Sequence, residues 1–353
     1  MPYQHDRTSG RNRQCPAQAT PGRYRTTLLF TMALWAALVQ QPAGATTFYA
    51  VVLATPRYTV GASTLQSGLF VSTDNARTWR QLGPRNVKGY SMDAVDSSRG
   101  RILFMAAGNG VHRSTDFGAT WRVVTDWRMT EVMDVMVDQH DPRWVYAATA
   151  FGFWRSGDGG DHWENPSGEL HGGYTYRLQT LAAGNELVVA GENRFFRSTD
   201  HGSAWQGLDS FTEPRGILGI VGCTDGHCGA SNGGCRMYAT GEGVMVAAAN
   251  PGRRTPDRLP GCPRMNVYAM IPAGGTSAYV AGDSGIWLYN ACTSRCEERT
   301  ANIPNHIAHA LVMANDTLVA GTFGDGLFRL AGNSWEQSGL EGAIVWTLRR
   351  KEW

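Results

Sequence analysis

A repeat of about 42 residues runs through this chain and restricts what it can fold into. Four segments share the pattern Ser-x-Asp-x-x-x-x-Trp, and each tryptophan lies 42 residues from the next. The shared positions are Ser72, Asp74 and Trp79; Ser114, Asp116 and Trp121; Ser156, Asp158 and Trp163; and Ser198, Asp200 and Trp205. A fixed period of this length is typical of chains built from one supersecondary unit repeated many times.

A second landmark extends the repeat beyond these four segments. A turn glycine with mostly apolar neighbours precedes each pattern, as in Gly68-Leu69-Phe70, and Arg194 replaces the glycine in the fourth unit. The landmark returns without the Ser-x-Asp pattern at residues 243–245, 285–287 and 326–328, at spacings of 49, 42 and 41 residues. The sequence therefore predicts seven units, of which the last three have lost the pattern.

Each unit consists of short runs of β-branched and aromatic residues separated by turn residues. In the third unit, Val132 to Val137, Trp144 to Ala148 and Gly152 to Arg155 predict three strands, and a fourth is expected to begin near Trp163. Four antiparallel strands in each of seven units predict an all-β fold, a seven-bladed β-propeller of four-stranded antiparallel blades.

The two ends of the repeat region predict how the ring closes. The first unit opens at Phe48 to Leu53, which matches the second strand of the other units, so its innermost strand is missing. A surplus strand, Ala343 to Leu348, follows the seventh unit and matches an innermost strand. We expect this C-terminal strand to complete the first blade and to remove the exposed edge of an open ring.

Residues 1–45 have the character of a targeting segment. Five arginines (Arg7, Arg11, Arg13, Arg23 and Arg25) precede an apolar run from Leu28 to Val39, and small residues follow up to Ala45. The run is shorter than the roughly 20 residues of a membrane-spanning helix. We expect a signal peptide cleaved near Ala45, a single propeller over 46–353, and an exported protein that is periplasmic, envelope-associated or secreted. An uncleaved anchor stays open as the alternative.

The charge of the chain changes when this leader is set aside. Residues 46–353 carry 27 Lys+Arg and 29 Asp+Glu, a formal net charge of −2, whereas the whole chain carries 32 and 30, a net charge of +2. The basic character thus belongs to the leader, and nothing in the remainder resembles the electrostatics of a nucleic-acid-binding protein.

Six cysteines remain outside the leader, which itself contains Cys15. They are Cys223, Cys228, Cys235, Cys262, Cys292 and Cys296. An even number in an exported protein predicts three disulfides. Cys292–Cys296 is the preferred local pair, and Cys235–Cys262 and Cys223–Cys228 follow by elimination. The alternative is a metal site of Cys223, His227, Cys228 and Cys235, but this spacing fits no closed zinc signature. We expect no metal and no cofactor.

The motif Ser-x-Asp-x-Gly-x-Thr-Trp resembles the Asp box, also called the bacterial neuraminidase repeat. The resemblance covers four full boxes and three degenerate units, about 300 residues. It is specific for the fold but says little about function, because sialidases, xyloglucanases, sortilin-type receptors and photosystem II assembly propellers all contain it. We expect each aspartate to accept backbone hydrogen bonds in a tight turn, Gly118, Gly160 and Gly202 to allow that turn, and each tryptophan to lie between blades.

The enzymatic members of this group offer the alternative function. Sialidases have an arginine triad and a Phe-Arg-Ile-Pro-type motif, but the nearest fragment here, residues 214–217, does not match. Xyloglucanases act in a cleft between two propellers, whereas the sequence of this chain predicts a single propeller. Asp93 and Asp134 occupy similar places on adjacent inner strands and are the candidate catalytic pair for a divergent glycoside hydrolase. The competing interpretation is that they begin strands or meet a neighbouring arginine.

The links between units carry basic and aromatic side chains that we expect on one rim. They are Arg85, Lys88, Tyr90, Trp127, Arg128, Tyr174, Tyr176, Arg177, Arg215, Arg264 and His306. Arginine with tyrosine and tryptophan is typical of protein-binding hot spots and also suits carboxylate recognition. Acidic residues on the same links, including Asp126 and Glu131, can neutralise the patch.

The whole chain most resembles the photosystem assembly propellers, which implies a non-catalytic role. We predict a binding, assembly or adhesion factor whose partner is a protein, such as a membrane-protein complex or a peptide. A carbohydrate ligand is the alternative, nucleic acid is not expected, and we expect a monomer.

Overall fold

The computed structural model describes residues 46–53, 67–97, 100–166, 168, 170–181, 186–210, 217–218, 235–248, 257–259, 261–291 and 293–353. All of them belong to the compact unit formed by residues 43–353. The predicted leader, residues 1–45, lies outside the described residues. Within these ranges no helix is long and apolar enough to span a membrane.

The described residues fold into β-strands. The strands of the first four units are β1 (Thr46–Leu53), β2 (Gly68–Ser72), β3 (Arg80–Arg85), β4 (Gly89–Ser97), β5 (Gly100–Ala107), β6 (Gly110–Ser114), β7 (Arg122–Val123), β8 (Val132–Val137), β9 (Val145–Thr149), β10 (Gly152–Ser156), β11 (Thr175–Leu181), β12 (Glu186–Gly191), β13 (Arg194–Ser198) and β14 (Gln206–Ser210). The later strands are β15 (Ile217–Leu218), β16 (Cys235–Thr240), β17 (Gly243–Ala248), β18 (Asp257–Arg258), β19 (Val267–Gly274), β20 (Ser277–Gly282), β21 (Gly285–Asn290), β22 (Arg295–Glu298), β23 (Ala308–Ala314), β24 (Thr317–Thr322), β25 (Leu327–Ala331), β26 (Ser334–Gln337) and β27 (Ile344–Glu352).

These strands form an all-β propeller with antiparallel four-stranded blades. Six sheets have four strands, in the orders β27-β1-β2-β3, β4-β5-β6-β7, β11-β12-β13-β14, β15-β16-β17-β18, β19-β20-β21-β22 and β23-β24-β25-β26. One further sheet, β8-β9-β10, has three strands. The prediction of four strands in every unit is therefore wrong for the third unit.

The missing strand of the third unit has a local cause. Near Trp163, only an isolated bridge joins Arg155 and Glu164, through two backbone hydrogen bonds of 2.9 Å. Pro166 follows two residues later. Because proline has no N–H to donate, it ends the ladder before a strand can form.

The surplus strand at the C-terminus pairs where it was expected. β27 lies antiparallel to β1, from Leu53 opposite Ile344 to Thr46 opposite Glu352. It extends four residues beyond the predicted Leu348, and these extra residues include Arg349 and Lys351. The first sheet thus contains both ends of the described chain.

Apolar clusters fill the spaces between consecutive sheets. One cluster unites Val51 of the first sheet with Met92 of the second, and another unites Phe48 with Val345 and residues of β23–β25. The four repeat tryptophans pack into four of these clusters, as predicted: Trp79, Trp121, Trp163 and Trp205. Each large indole therefore contributes buried surface between two sheets.

The cysteines pair differently from the prediction. Cys262 and Cys296 form a disulfide, with 5.6 Å between their Cα atoms, so the predicted pairs Cys292–Cys296 and Cys235–Cys262 are wrong. Cys262 follows β18 and Cys296 lies in β22, and both adjoin the apolar cluster between these two sheets. Proximity across sheets, rather than along the chain, decides the pairing. Cys223, Cys228 and Cys292 lie outside the described residues.

Candidate functional site

The propeller has two ends with different connections. The innermost strand of each sheet begins at the link from the preceding sheet, and the turn between its second and third strands returns to that end, the link face. At one such link, the Glu131 N–H donates to the Gly108 carbonyl at 2.9 Å, and the Ala150 N–H donates to the Glu131 carbonyl at 3.2 Å. The Ser-x-Asp turns lie at the opposite end, the turn face.

The Ser-x-Asp turns are closed by hydrogen bonds that repeat in all four copies. The serine hydroxyl donates to the aspartate Oδ1 at 2.7–2.8 Å. The backbone N–H four residues after the aspartate donates to the same oxygen at 2.9 Å. Gly118, Gly160 and Gly202 have positive φ angles of 85°, 88° and 78°, as these turns require. The aspartates therefore hold turns together, as expected.

Hydrogen bonding also fixes the charge of these aspartates. Partial burial of Asp158 opposes ionisation, but the His162 backbone and ring and the Ser156 hydroxyl outweigh it and lower the pKa of Asp158 to about 2. The same kind of bonding lowers the pKa values of Asp74, Asp116 and Asp200. These carboxylates remain ionised and accept hydrogen bonds within their own turns, as expected of structural residues.

At the link face, the innermost strands share an irregularity that carries aromatic side chains. In six sheets the register of the innermost strand shifts by one residue near its start. The extra residues are Tyr90, Met133, Tyr176, Tyr268, His309 and Trp346. A bulge leaves its extra residue unpaired and re-aims its side chain. We call five of them, Tyr90, Tyr176, Tyr268, His309 and Trp346, the aromatic collar.

The rings of the collar contact one another across sheets. His309 stacks on Tyr268 with ring centroids 4.0 Å apart and lies 4.8 Å from Trp346, which meets Tyr90 edge to face at 6.1 Å. Tyr174 packs beside Tyr176 at 4.7 Å. Edge-to-face and offset contacts of this kind are favourable. Four collar rings, those of Tyr268, His309, Trp346 and Tyr90, thus form a connected row, whereas Tyr176 contacts Tyr174.

An axial cavity of about 240 Å³ opens among these residues. Tyr268, His309 and Trp346 line it, together with Arg177 and Arg349. Burial, and then repulsion from Arg177, lowers the pKa of His309 to about 4, so this ring is neutral at neutral pH. The cavity therefore combines aromatic walls with two permanent positive charges.

Asp93 and Asp134, the candidate catalytic pair, connect neighbouring sheets. Each accepts the N–H of the following residue and, at 2.9 Å, an N–H of the next sheet: that of Val137 for Asp93 and that of Leu178 for Asp134. Lys351 lies 2.5 Å from Asp93, and Arg349 lies 3.7 Å from Asp134. The side chain of Asp134 is fully buried, and that of Asp93 is 8% exposed, although Asp93 borders a cavity of about 410 Å³ beside its partner Lys351. The interpretation as strand residues that meet neighbouring cations fits better than a catalytic pair.

The predicted rim residues take three different positions. Exposed on the link face are Arg85, Lys88, Trp127, Arg128, Tyr174, Arg264 and His306, and Trp127 is 84% exposed. Tyr90 and Tyr176 belong to the collar instead, and Arg177 faces the axial cavity. Arg128 is paired with Asp126 at 2.6 Å, so part of the patch is neutralised, as the alternative allowed. Arg215 lies outside the described residues.

Sequence reasoning missed Tyr268, His309, Trp346 and Arg349. The first two stand 17 residues before the turn glycines Gly285 and Gly326, whereas Tyr90 stands 20 residues before Gly110. An alignment of the link ends would have related these positions, but the drift in spacing concealed them. Trp346 and Arg349 lie in the surplus strand, which has no such landmark after it.

Metal binding receives no support from the described part of the chain. No three His, Cys, Asp or Glu side chains among those residues are grouped so that they could hold a metal ion. The alternative metal set falls mostly on Cys223, His227 and Cys228, which lie outside the described residues.

Comparison with known proteins gives a fold and no family. No family model matches the sequence, and no curated protein does. Among solved structures, YCF48 from Cyanidioschyzon merolae is 17% identical, with 75% of this chain and 90% of that one covered at a TM-score of 0.55. The likeness is one of fold.

Other similar structures serve different roles. A structure of YCF48 bound to D1 peptide is 15% identical, with 71% of this chain and 82% of that one covered at a TM-score of 0.52. The extracellular domain of a one-component system from B. thetaiotaomicron is 15% identical over 74% of this chain at a TM-score of 0.57, but this chain spans only 35% of that one. An ancestral GH74 enzyme is 16% identical at 0.53, with 73% and 40% coverage.

Proposed function

We propose that this chain is an exported, non-catalytic propeller that holds a protein partner through its link face. The observation that carries the proposal is the distribution of exposed aromatic residues. In the described ranges, the large aromatic side chains that stand exposed are Trp127, Phe151, Tyr174 and Phe323, and all four lie at links or second-to-third-strand turns of the link face. Exposed aromatic residues gathered on one face are typical of protein-interaction sites.

We infer that this role rests on a closed ring of seven blades, four of which carry Asp boxes. Seven sheets, apolar clusters between consecutive sheets, and the pairing of β27 with β1 support seven blades and closure by the C-terminal strand. The bonding of the four Ser-x-Asp turns supports the Asp-box assignment. Export rests on the basic and apolar leader in residues 1–45.

The similar structures include both a peptide-binding protein and an enzyme. The residues of this chain must therefore distinguish partner binding from glycoside hydrolysis. YCF48 has been solved with a D1 peptide, which supports a peptide or protein partner for this fold. The GH74 structure supports a glycosidase, but Asp93 and Asp134 are buried and bonded here. We therefore propose the binding function.

The test compares the two faces in a capture experiment. The full-length protein is cross-linked in its own cell envelope, and captured proteins are compared for the native chain, for Trp127→Ala with Phe151→Ala, and for Arg143→Ala as the control on the turn face. Loss of the captured partner in the link-face variant alone supports the proposal. Equal capture by all three proteins would contradict the link face as the site. Hydrolysis of sialosides or β-glucans that is lost in Asp134→Asn would instead favour an enzyme.

A further inference from the structure

The axial cavity collects positive charge without an accessible counter-ion. Arg177 and Arg349 line it, and its lining includes no Asp or Glu. Asp134 lies behind it, wholly buried, and its oxygens already accept the N–H groups of Val135 and Leu178. Arg349 is 3.7 Å from Asp134, so this arginine is partly neutralised. Asp134 also attracts Arg177, so one buried carboxylate faces two arginines and leaves the cavity with a net positive charge.

Arg177 is the unusual member of this pair. Among the described residues, its guanidinium has no hydrogen-bond acceptor. Burial lowers the pKa of Arg177 below its ordinary value; the charge of Asp134 opposes this shift, and repulsion from Arg349 adds to it. A guanidinium nevertheless stays charged in proteins. Arg177 is half-buried, and a guanidinium that faces a cavity is available to form charge-assisted hydrogen bonds with an anion that enters it.

The remaining lining restricts the chemistry of such an anion. Apart from the arginines, the cavity is lined by the rings of Tyr268, His309 and Trp346, by the polar side chain of Gln179, and by apolar side chains such as Met270. The Thr347 hydroxyl is already bonded to the Tyr90 carbonyl at 2.7 Å. A sugar would need partners for several hydroxyls and would find the arginines and Gln179, whereas a carboxylate on an apolar stem needs only the arginines and the aromatic rings.

We propose that the axial cavity is a carboxylate site, in which Arg177 and Arg349 hold one carboxylate of a peptide partner while the rings of Tyr268, His309 and Trp346 pack against its stem. This inference rests on the proposed function and names the chemistry of its ligand. The volume equals about eight water molecules at about 30 Å³ each, which is room for a single side chain or terminal residue. The carboxylate is supplied by an Asp or Glu side chain or by a free C-terminus.

Small probes test the chemistry first. Calorimetry and NMR on the full-length protein compare 3-phenylpropionate, its uncharged amide and glucuronate. We expect 3-phenylpropionate to bind at least tenfold more tightly than either of the others, to shift the Trp346 indole signal, and to raise the pKa of His309 from about 4. Equal binding of the amide would overturn the charge requirement. Preference for glucuronate would overturn the peptide assignment.

Variants then locate the site. Arg177→Gln is expected to weaken the probe at least tenfold, and Arg143→Gln on the turn face is expected to leave it unchanged. Gln179→Glu places a carboxylate inside the cavity, since Gln179 lines it, and we expect it to block the probe while the protein still melts cooperatively. Undiminished binding in a folded Gln179→Glu variant would overturn the proposal even if Arg177→Gln fails to fold.

Capped peptides distinguish the two sources of the carboxylate. One alanine-rich peptide has a single internal Glu and an amidated end, and its match has Gln and a free C-terminus. Binding of either peptide that depends on Arg177 supports the site and identifies the source, and binding of neither overturns the peptide assignment. Arg177→Gln that loses the probe but still captures the envelope partner would overturn this inference alone and leave the proposed function standing.

Discussion

The two faces of the propeller differ in how their polar groups are used. On the turn face, Asp74, Asp116, Asp158 and Asp200 are engaged in their own turns. A groove of about 660 Å³ there is lined by Asp138, Asp141 and Glu186, so it is acidic. On the link face, aromatic rings stand exposed, and Arg177 has no acceptor in the described structure. The polar groups of the turn face stabilise the fold, whereas the aromatic rings and Arg177 at the link face remain available to bind a partner.

The largest expected effect comes from removing the strand that runs between both faces. Deletion of residues 343–353 exposes the edge of β1 and removes Val345 and Leu348 from the cluster that joins the first and last sheets. We expect loss of cooperative thermal unfolding, measured by circular dichroism, and loss of function at both faces. A truncated protein that melts like the intact chain would contradict the pairing.

The next largest loss of stability is expected when Asp134, which lies between the two faces, is replaced. Asp134→Ala leaves the buried Leu178 N–H without its acceptor and leaves Arg349 without its partner. Because Arg349 is 39% exposed and can be solvated, the lost acceptor dominates, and we expect a loss of about 1–3 kcal/mol in the free energy of unfolding, measured with urea. Asp134→Asn is the matched control, because its amide oxygen can still accept, and its loss should be smaller. Equal losses would show that hydrogen bonding is not the cause.

A smaller effect should be confined to the turn face. Asp158→Ala removes the acceptor for the His162 and Ser156 groups, and we expect it to lower the free energy of unfolding by about 1–2 kcal/mol because the site is partly open to solvent. Partner capture should be unchanged. A variant that melts normally but no longer captures the partner would locate the binding site at the turn face and contradict our proposal.

The same aspartate gives a pH dependence of defined sign. Its pKa is about 2 in the folded chain against an ordinary 3.8, so its contribution is fully present above about pH 4. As the pH falls through 2, the carboxylate becomes protonated and the contribution is lost. The difference in melting temperature between the native chain and Asp158→Ala should therefore shrink from pH 4 to pH 2. A difference that stays constant over this range would exclude the charged hydrogen bonds as its source.

The smallest effect on stability is expected from two matched arginines. Arg128 on the link face and Arg143 on the turn face each pair with the aspartate two residues earlier, at 2.6 and 2.7 Å. Because both side chains are exposed, substitution of either by Glu should leave the melting temperature unchanged. Arg128→Glu should reduce partner capture, whereas Arg143→Glu should not. Equal capture by the two variants would remove the distinction between the faces.

Periodicity carried most of what the sequence could predict. The 42-residue spacing predicted the strands, the hydrogen-bonded aspartates and the tryptophans between sheets, because each depends on neighbours within one unit or at a fixed offset. The fourth strand of the third unit failed at Pro166, a local exception to the pattern. Cys262–Cys296, the collar and the inward position of Arg177 depend on contacts between sheets, and spacing along the chain does not specify these.

The bulges of the innermost strands have a consequence for how such a protein can diversify. Each inserts a residue that takes no part in the ladder, so its side chain can be exchanged without disturbing the alternation that builds the core. Met133 already departs from the aromatic character of Tyr176, Tyr268 and His309. The six bulge positions surround one axis. Substitutions at these positions can therefore change the side chains that face the axis without lowering the stability of the propeller.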